Sequence, residues 1–182
     1  DEFIPVAEAS DLILELDRYV LQKAMTELAS WPTSVYGDDL HVAINVSGRH
    51  LVDRSIVPDV AAALAESGLA PHRLVLEITE TVLLSDMPVA CGHLEQLRAM
   101  GITIALDDFG SGYTSLATLR FLPVDILKID RSIVNELQPD RGQSLVRLII
   151  EAAHEFGMTV VAEGVEHEMQ RELLHRLGCE QV

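Results

Sequence analysis

The chain has 182 residues, 48% of them hydrophobic but only 4% aromatic, and a formal net charge of -16. That length fits one domain, and its core must be built mainly from Leu, Ile, Val and Ala, as in buried parallel strands. The charge disfavours DNA, RNA and anionic membranes as partners. A phosphate ester remains within reach if divalent cations bridge the two, and by itself the charge means no more than solubility. Two cysteines, Cys91 and Cys179, lack CxxC spacing. They fit a cytoplasmic, reducing compartment and neither a disulfide framework nor a zinc site. No apolar run approaches the roughly 18 residues of a membrane span, and no signal peptide is visible, although a parent protein could still be membrane-anchored.

Taken in chain order, the first element is a helix over 12–31. Leu12, Leu16, Tyr19, Val20 and Lys23 trace its mostly apolar stripe, expected to face the core, with Asp17 and Arg18 off it. Pro32 and Gly37 mark a loop. Strands follow at 41–47, 74–79, 102–106, 126–130 and 159–162, with a stub at 180–182. A second amphipathic helix spans 144–156, with Leu145, Leu148, Ile149, Ala152 and Phe156 expected inward. Pro139 and Gly142 mark the loop before it. Gly68, Gly101, Gly157 and Gly178 each stand between a helix and the next strand, the place of a left-handed C-cap.

Strands alternating with helices mean a parallel sheet. A doubly wound open sheet and a (β/α)8 barrel both fit. A barrel needs about 250 residues, so a chain with some six strands would lack about two.

Side chains on a strand alternate between two faces. One face of each strand is aliphatic: Val42, Ile44 and Val46; Leu74, Leu76 and Ile78; Ile102, Ile104 and Leu106; Leu127 and Ile129; Val160 and Ala162. The other face carries Asn45, Glu77, Asp107, Lys128 and Glu163 near the carboxyl ends. Barrel enzymes place their active sites at those ends. Converging carboxylates repel one another without a counter-charge, which divalent ions and Lys128 would supply. An all-oxygen set without clustered His or Cys suits Mg2+ or Mn2+ better than Zn2+. Asp107 beside Asp108 could hold two ions roughly 3.5–4 Å apart for phosphoryl transfer. Each residue alone has a plainer reading. Asn45 could be a turn residue, Glu77-Ile78-Thr79-Glu80 a helix cap, Asp107-Asp108-Phe109-Gly110 a turn and Glu163 a strand end. The seven histidines are scattered and read as packing or surface residues.

Six segments together resemble the EAL-domain cyclic di-GMP phosphodiesterases. They are Phe3-Ile4-Pro5-Val6-Ala7-Glu8, Asn45-Val46-Ser47, Glu77-Ile78-Thr79-Glu80, Asp107-Asp108-Phe109-Gly110-Ser111-Gly112-Tyr113, Leu127-Lys128-Ile129-Asp130 and Ala162-Glu163-Gly164-Val165-Glu166. The resemblance runs in order over the whole chain. It implies a modified (β/α)8 TIM-type barrel that cuts cyclic di-GMP to linear pGpG with Mg2+ or Mn2+. By position, Asn45, Glu77 and Asp107 resemble ligands of a first metal, and Asp107 and Asp108 the bridge to a second. Glu163 resembles the acid on the second-metal side or the general base. Lys128 resembles the residue that orients the water and offsets phosphate charge. Glu80 resembles the anchor of the loop that begins at Asp108, with Thr79 and Glu166 as supporting residues. A homodimer and upstream regulatory domains also fit the family.

The Glu-Ala-Leu run that names the family would lie before Phe3, and a Gln-Gly-Tyr-like run would follow Val182. The chain therefore reads as residues 1–182 of a partial phosphodiesterase domain. The expected barrel is incomplete, missing about two strands including the one bearing the naming motif, with impaired activity. His50 also stands where the family often has Gln. Two other readings are a non-catalytic relative that binds cyclic di-GMP or a protein partner, and an unrelated Mg2+ barrel lyase with Lys128 as base.

Overall fold

The computed structural model of the chain describes residues 3–32, 37, 40–81, 86–112, 115–138 and 142–182. It divides into two compact units, 1–78 with 82–104, and 79–81 with 105–182.

The first unit holds α1 (Ile4–Glu8), α2 (Leu12–Ser30), β1 (Val42–Asn45), α3 (Gly48–Val52), α4 (Ile56–Ser67), a 3-10 turn (Pro71–Arg73), most of β2 (Leu74–Thr79) and α5 (Met87–Ala99). β1 and β2 pair in parallel, in register from Val42 with Leu74 to Asn45 with Glu77. β1 is shorter than the expected 41–47 because Ser47 leaves the strand to cap α3. Its hydroxyl accepts from the His50 backbone N–H at 3.2 Å. The alternation along β2 is as read from the sequence, with Leu74, Leu76 and Ile78 buried and Val75, Glu77 and Thr79 half-buried.

The stripe expected to face the core on α2 does not. Leu12 and Tyr19 are 58% and 64% exposed, and the buried residues are Ile13, Asp17, Leu21, Met25 and Leu28. This second stripe also has helical spacing, but an acid interrupts it and hides it from an apolar count. Asp17 is tolerated inside because its Oδ2 accepts from the Ser47 backbone N–H at 3.1 Å and from the Ser47 hydroxyl at 2.6 Å. The same oxygen lies 3.3 Å from Nδ1 of His50, whose ring is fully buried. Nε2 of that ring meets Asp59 at 3.1 Å, and Arg18 closes the network by donating to Asp59 at 2.6 Å. Three helices thereby meet around one imidazole, whose Nδ1 faces Asp17 without making a hydrogen bond.

The second unit holds β3 (Thr103–Phe109) from Ala105 onward, α6 (Leu116–Leu119), β4 (Ile126–Ile129), α7 (Arg131–Asn135), α8 (Gln143–Glu155), β5 (Thr159–Ala162) and α9 (Glu168–Leu177). β3, β4 and β5 pair in parallel in chain order. Leu127, Ile129, Val160 and Ala162 are buried, and Ile126, Lys128 and Val161 are half-buried on the opposite face. The stub expected at 180–182 amounts to one bridge, Gln181 to Val161. On α8 the expected inward set is only partly right. Val146, Ile149, Ile150 and Ala153 are buried, while Leu145 and Leu148 are about half exposed. The segment is apolar nearly all round between 145 and 153, so periodicity alone could not fix its inner face. Of the expected loop residues, Pro139 lies outside the described residues.

Candidate metal centre

Adjacent residues of a regular strand point to opposite faces, so Asp107 and Asp108 could not both serve one site without a break in the ladder. β3 supplies that break. Leu106 pairs with Leu127 and Phe109 with Ile129, so three steps on β3 match two on β4, a β-bulge. Asp108 takes the left-handed conformation, with φ of 55°, which Asp tolerates better than most residues. The strand ends are then tied together. The Asp130 N–H donates to Phe109 O, and the Glu163 N–H to Ile129 O, both at 3.1 Å.

Within the second unit this brings Asp107, Asp108, Lys128 and Glu163 together. Carboxylate oxygens of Asp107, Asp108 and Glu163 lie within 4.8 Å of one another. Lys128 Nζ stands 2.9 Å from Asp107 and 2.6 Å from Glu163, with its side chain only 13% exposed. One ammonium cannot balance three carboxylates. Burial, then repulsion from Asp107, Asp130 and Glu163, raises the pKa of Asp108, and Lys128 only partly offsets this. An all-oxygen set under such strain fits a hard divalent cation.

The turn after Asp108 is latched by the residue that follows β2. Glu80, buried at 3% exposure, accepts from the Gly110 N–H at 2.8 Å. Gly112 approaches so closely that a Cβ there would stand 2.5 Å from Glu80 Oε2. Tyr113 lies outside the described residues. The Thr79 hydroxyl pairs with that of Thr81 at 3.0 Å. Glu166 is exposed, and its backbone N–H donates to Gln170 Oε1 at 3.0 Å. Asn45 and Glu77 are Cα partners across β1 and β2 in the first unit, where the Val46 N–H donates to Glu77 O at 2.9 Å.

Sequence reasoning missed the Asp17–His50–Asp59 network and the role of Asp130. Asp130 caps α7 by accepting from the Ser132 N–H at 2.9 Å and from the Ser132 hydroxyl. The one available signal was Asp17 itself, an acid standing in the helical series of Ile13, Leu21, Met25 and Leu28.

The family model of the EAL domain matches residues 1–182. Two Pseudomonas aeruginosa proteins are similar along the chain. The bifunctional diguanylate cyclase/cyclic di-GMP phosphodiesterase MucR is 39% identical over 98% of this chain, and the cyclic di-GMP phosphodiesterase NbdA is 40% identical over all of it. The chain spans only 26% of MucR and 23% of NbdA. The solved MucR phosphodiesterase, in complex with cyclic di-GMP, superposes with a TM-score of 0.88 over 98% of this chain and 72% of that one. A calcium and cyclic di-GMP complex of Klebsiella pneumoniae BlrP1 superposes at 0.81 with 28% identity, over 93% of this chain and 42% of that one. The fold is thus the α/β, TIM-barrel-like fold of these structures, and the acidic cluster stands in a family of metal-dependent domains. On the full-length match of its sequence and the agreement of its fold, the chain belongs to the EAL domain family.

Proposed function

We propose that residues 1–182 form part of a phosphodiesterase domain that hydrolyses cyclic di-GMP to linear pGpG with Mg2+ or Mn2+. The carrying observation is the convergence of Asp107, Asp108 and Glu163 around Lys128 in a member of this family. The oxygen-only donor set favours those two ions over Zn2+. Asn45, Glu77, Asp107, Asp108 and Glu163 are the proposed ligands. Glu80, Thr79 and Glu166 are the proposed supports.

A divalent pair held there supplies Lewis-acid charge neutralisation at the scissile phosphate. Glu163 takes a proton from the attacking water, whose oxygen bonds to phosphorus as the P–O3′ bond breaks and the 3′ oxygen leaves to be protonated. Lys128, fixed between Asp107 and Glu163, orients that water and offsets charge on the phosphoryl oxygens. Retention of Asn45, Glu77, Asp107, Asp108, Lys128 and Glu163 argues for catalysis over binding alone.

The remaining parts of the reading are also proposals. The location is cytoplasmic, in keeping with two free thiols. The net charge of -16 disfavours DNA and RNA as ligands. A homodimer and appended regulatory domains accompany the activity. Among the described residues no helix is long and apolar enough to cross a membrane.

The test is conversion of cyclic di-GMP to pGpG by the protein at full length, followed chromatographically with Mn2+ and with chelator. Metal-dependent turnover is expected. Binding of the dinucleotide without turnover in Mg2+ or Mn2+ would leave the non-catalytic reading standing instead.

A further inference from the structure

Within the second unit the carboxylate cluster opens on a cleft of about 470 Å3 lined by Asp108, Ser111, Asp130, Arg131, Glu163 and Gly164. Three lining residues are acids and one is a cation. The acids have assigned tasks. Asp108 and Glu163 belong to the metal centre, and Asp130 caps α7. The charge of Lys128 is engaged by Asp107 and Glu163. Arg131 differs from all of them. It is exposed and makes no side-chain hydrogen bond or close ion pair among the described residues, its charge acting only at a distance to lower the pKa of neighbouring Asp130. Its position is built rather than incidental. Gly164, at φ of 69°, packs so tightly that a Cβ there would stand 2.5 Å from Arg131 Cβ and 3.4 Å from its Cα. The residue after the proposed base therefore has no side chain, and the start of α7 fills the space.

We propose that Arg131 binds the second, non-scissile phosphate of a cyclic dinucleotide. This rests on the reading of the chain as a cyclic di-GMP phosphodiesterase. Such a substrate carries two phosphodiester anions. The divalent pair and Lys128 serve the one being cut. In this proposal the other lies on the Asp130 and Arg131 side of the cleft, where the acids repel it. A guanidinium offers a planar fork that matches two phosphate oxygens, and Arg131 is the one cation lining that cleft among the described residues. No bond to the second phosphorus changes during hydrolysis. The contact therefore holds substrate and transition state equally, and its loss raises KM without lowering kcat.

The experiment compares wild type, Arg131→Ala and Arg131→Lys at full length, matched by melting temperature. Two Mn2+-dependent substrates are used, cyclic di-GMP and the one-phosphate diester bis(p-nitrophenyl) phosphate. For Arg131→Ala the KM for cyclic di-GMP should rise about tenfold, with kcat within about twofold and bis(p-nitrophenyl) phosphate unaffected. Arg131→Lys, which keeps the charge but not the fork, should recover only part of the loss. An unchanged KM for cyclic di-GMP, or an equal loss on both substrates, overturns the assignment. Calorimetry with Ca2+ separates the two levels of the claim. If wild type binds cyclic di-GMP and Arg131→Ala binds it equally well, only the role of Arg131 falls. If wild type does not bind it, the functional reading falls and this inference with it.

Discussion

The two units each gather acids, and they treat them oppositely. In the first, Asp17 is buried but has the Ser47 N–H, the Ser47 hydroxyl and the His50 ring around one oxygen. Burial pushes the pKa of Asp59 up, yet hydrogen bonds from Arg18, Ser55 and His50 outweigh it and leave the value lowered. In the second, Asp107, Asp108 and Glu163 share one ammonium, and Asp108 is left with a raised pKa. An acid cluster whose partners are built in is architecture. One whose partners among the described residues fall short could hold a metal ion.

The largest effect should come from the under-compensated cluster. Glu163→Gln keeps the shape but removes the proton acceptor, so hydrolysis should fall by about three orders of magnitude, while calorimetric affinity for cyclic di-GMP stays within about threefold. Parallel loss of binding would mean that Glu163 holds the ligand rather than activating water. Next comes a pair of matched substitutions that should differ in sign. Asp17→Asn breaks a compensated buried contact and should cost about 3 kcal/mol by urea unfolding. Asp108→Asn removes one of the mutually repelling charges. It should raise the melting temperature of the metal-free protein and weaken the stabilisation given by Mn2+. If both variants destabilise the metal-free protein alike, the contrast between the two regions is wrong.

What could be read from the sequence follows the same division. The faces of β2, β4 and β5 were legible because period-two alternation is local and each aliphatic row is unbroken. That Lys128 and Glu163 would come together was legible because each sits at or just past such a strand's end, whereas β3, expected to stop at 106, runs past Asp107 to Phe109. The bulge that lets Asp108 turn toward the same site was not, since it depends on pairing with β4 and leaves no mark in the residues beyond an Asp-Asp pair. The inner faces of α2 and α8 were misread for a related reason. Asp17 looks wrong for a core until Ser47, thirty residues away in sequence, is seen to satisfy it. On α8, flanking Leu145 and Leu148 compete with the true stripe, and only packing decides.

A smaller effect probes how the second unit holds its turn. Gly112→Ala puts a methyl group against Glu80 Oε2 and should dislodge the carboxylate from the Gly110 N–H. The cost should be about 1–2 kcal/mol in unfolding, with turnover falling more than cyclic di-GMP binding, because the turn carries Asp108. Unchanged turnover with the same stability loss would reduce the latch to a purely structural tie.

The smallest effect tests the compensated side through pH. The pKa of Asp59 is lowered in the folded protein, so the folded state binds its proton less readily than the unfolded chain does. Its stabilising contribution is therefore fully present above the unfolded value of about 3.9 and is lost as pH falls through the lowered folded value. With the side chains of Asp59 and Arg18 24% and 42% exposed, solvent screening should hold the contribution below about 1 kcal/mol. Urea midpoints of wild type and Asp59→Asn should differ by a constant gap above about pH 5 and converge as the solution is acidified below about pH 4. A gap that instead widened on acidification would mean that the Asp59 carboxylate is a burden on the fold, and that the two acid clusters are not the opposites their partners suggest.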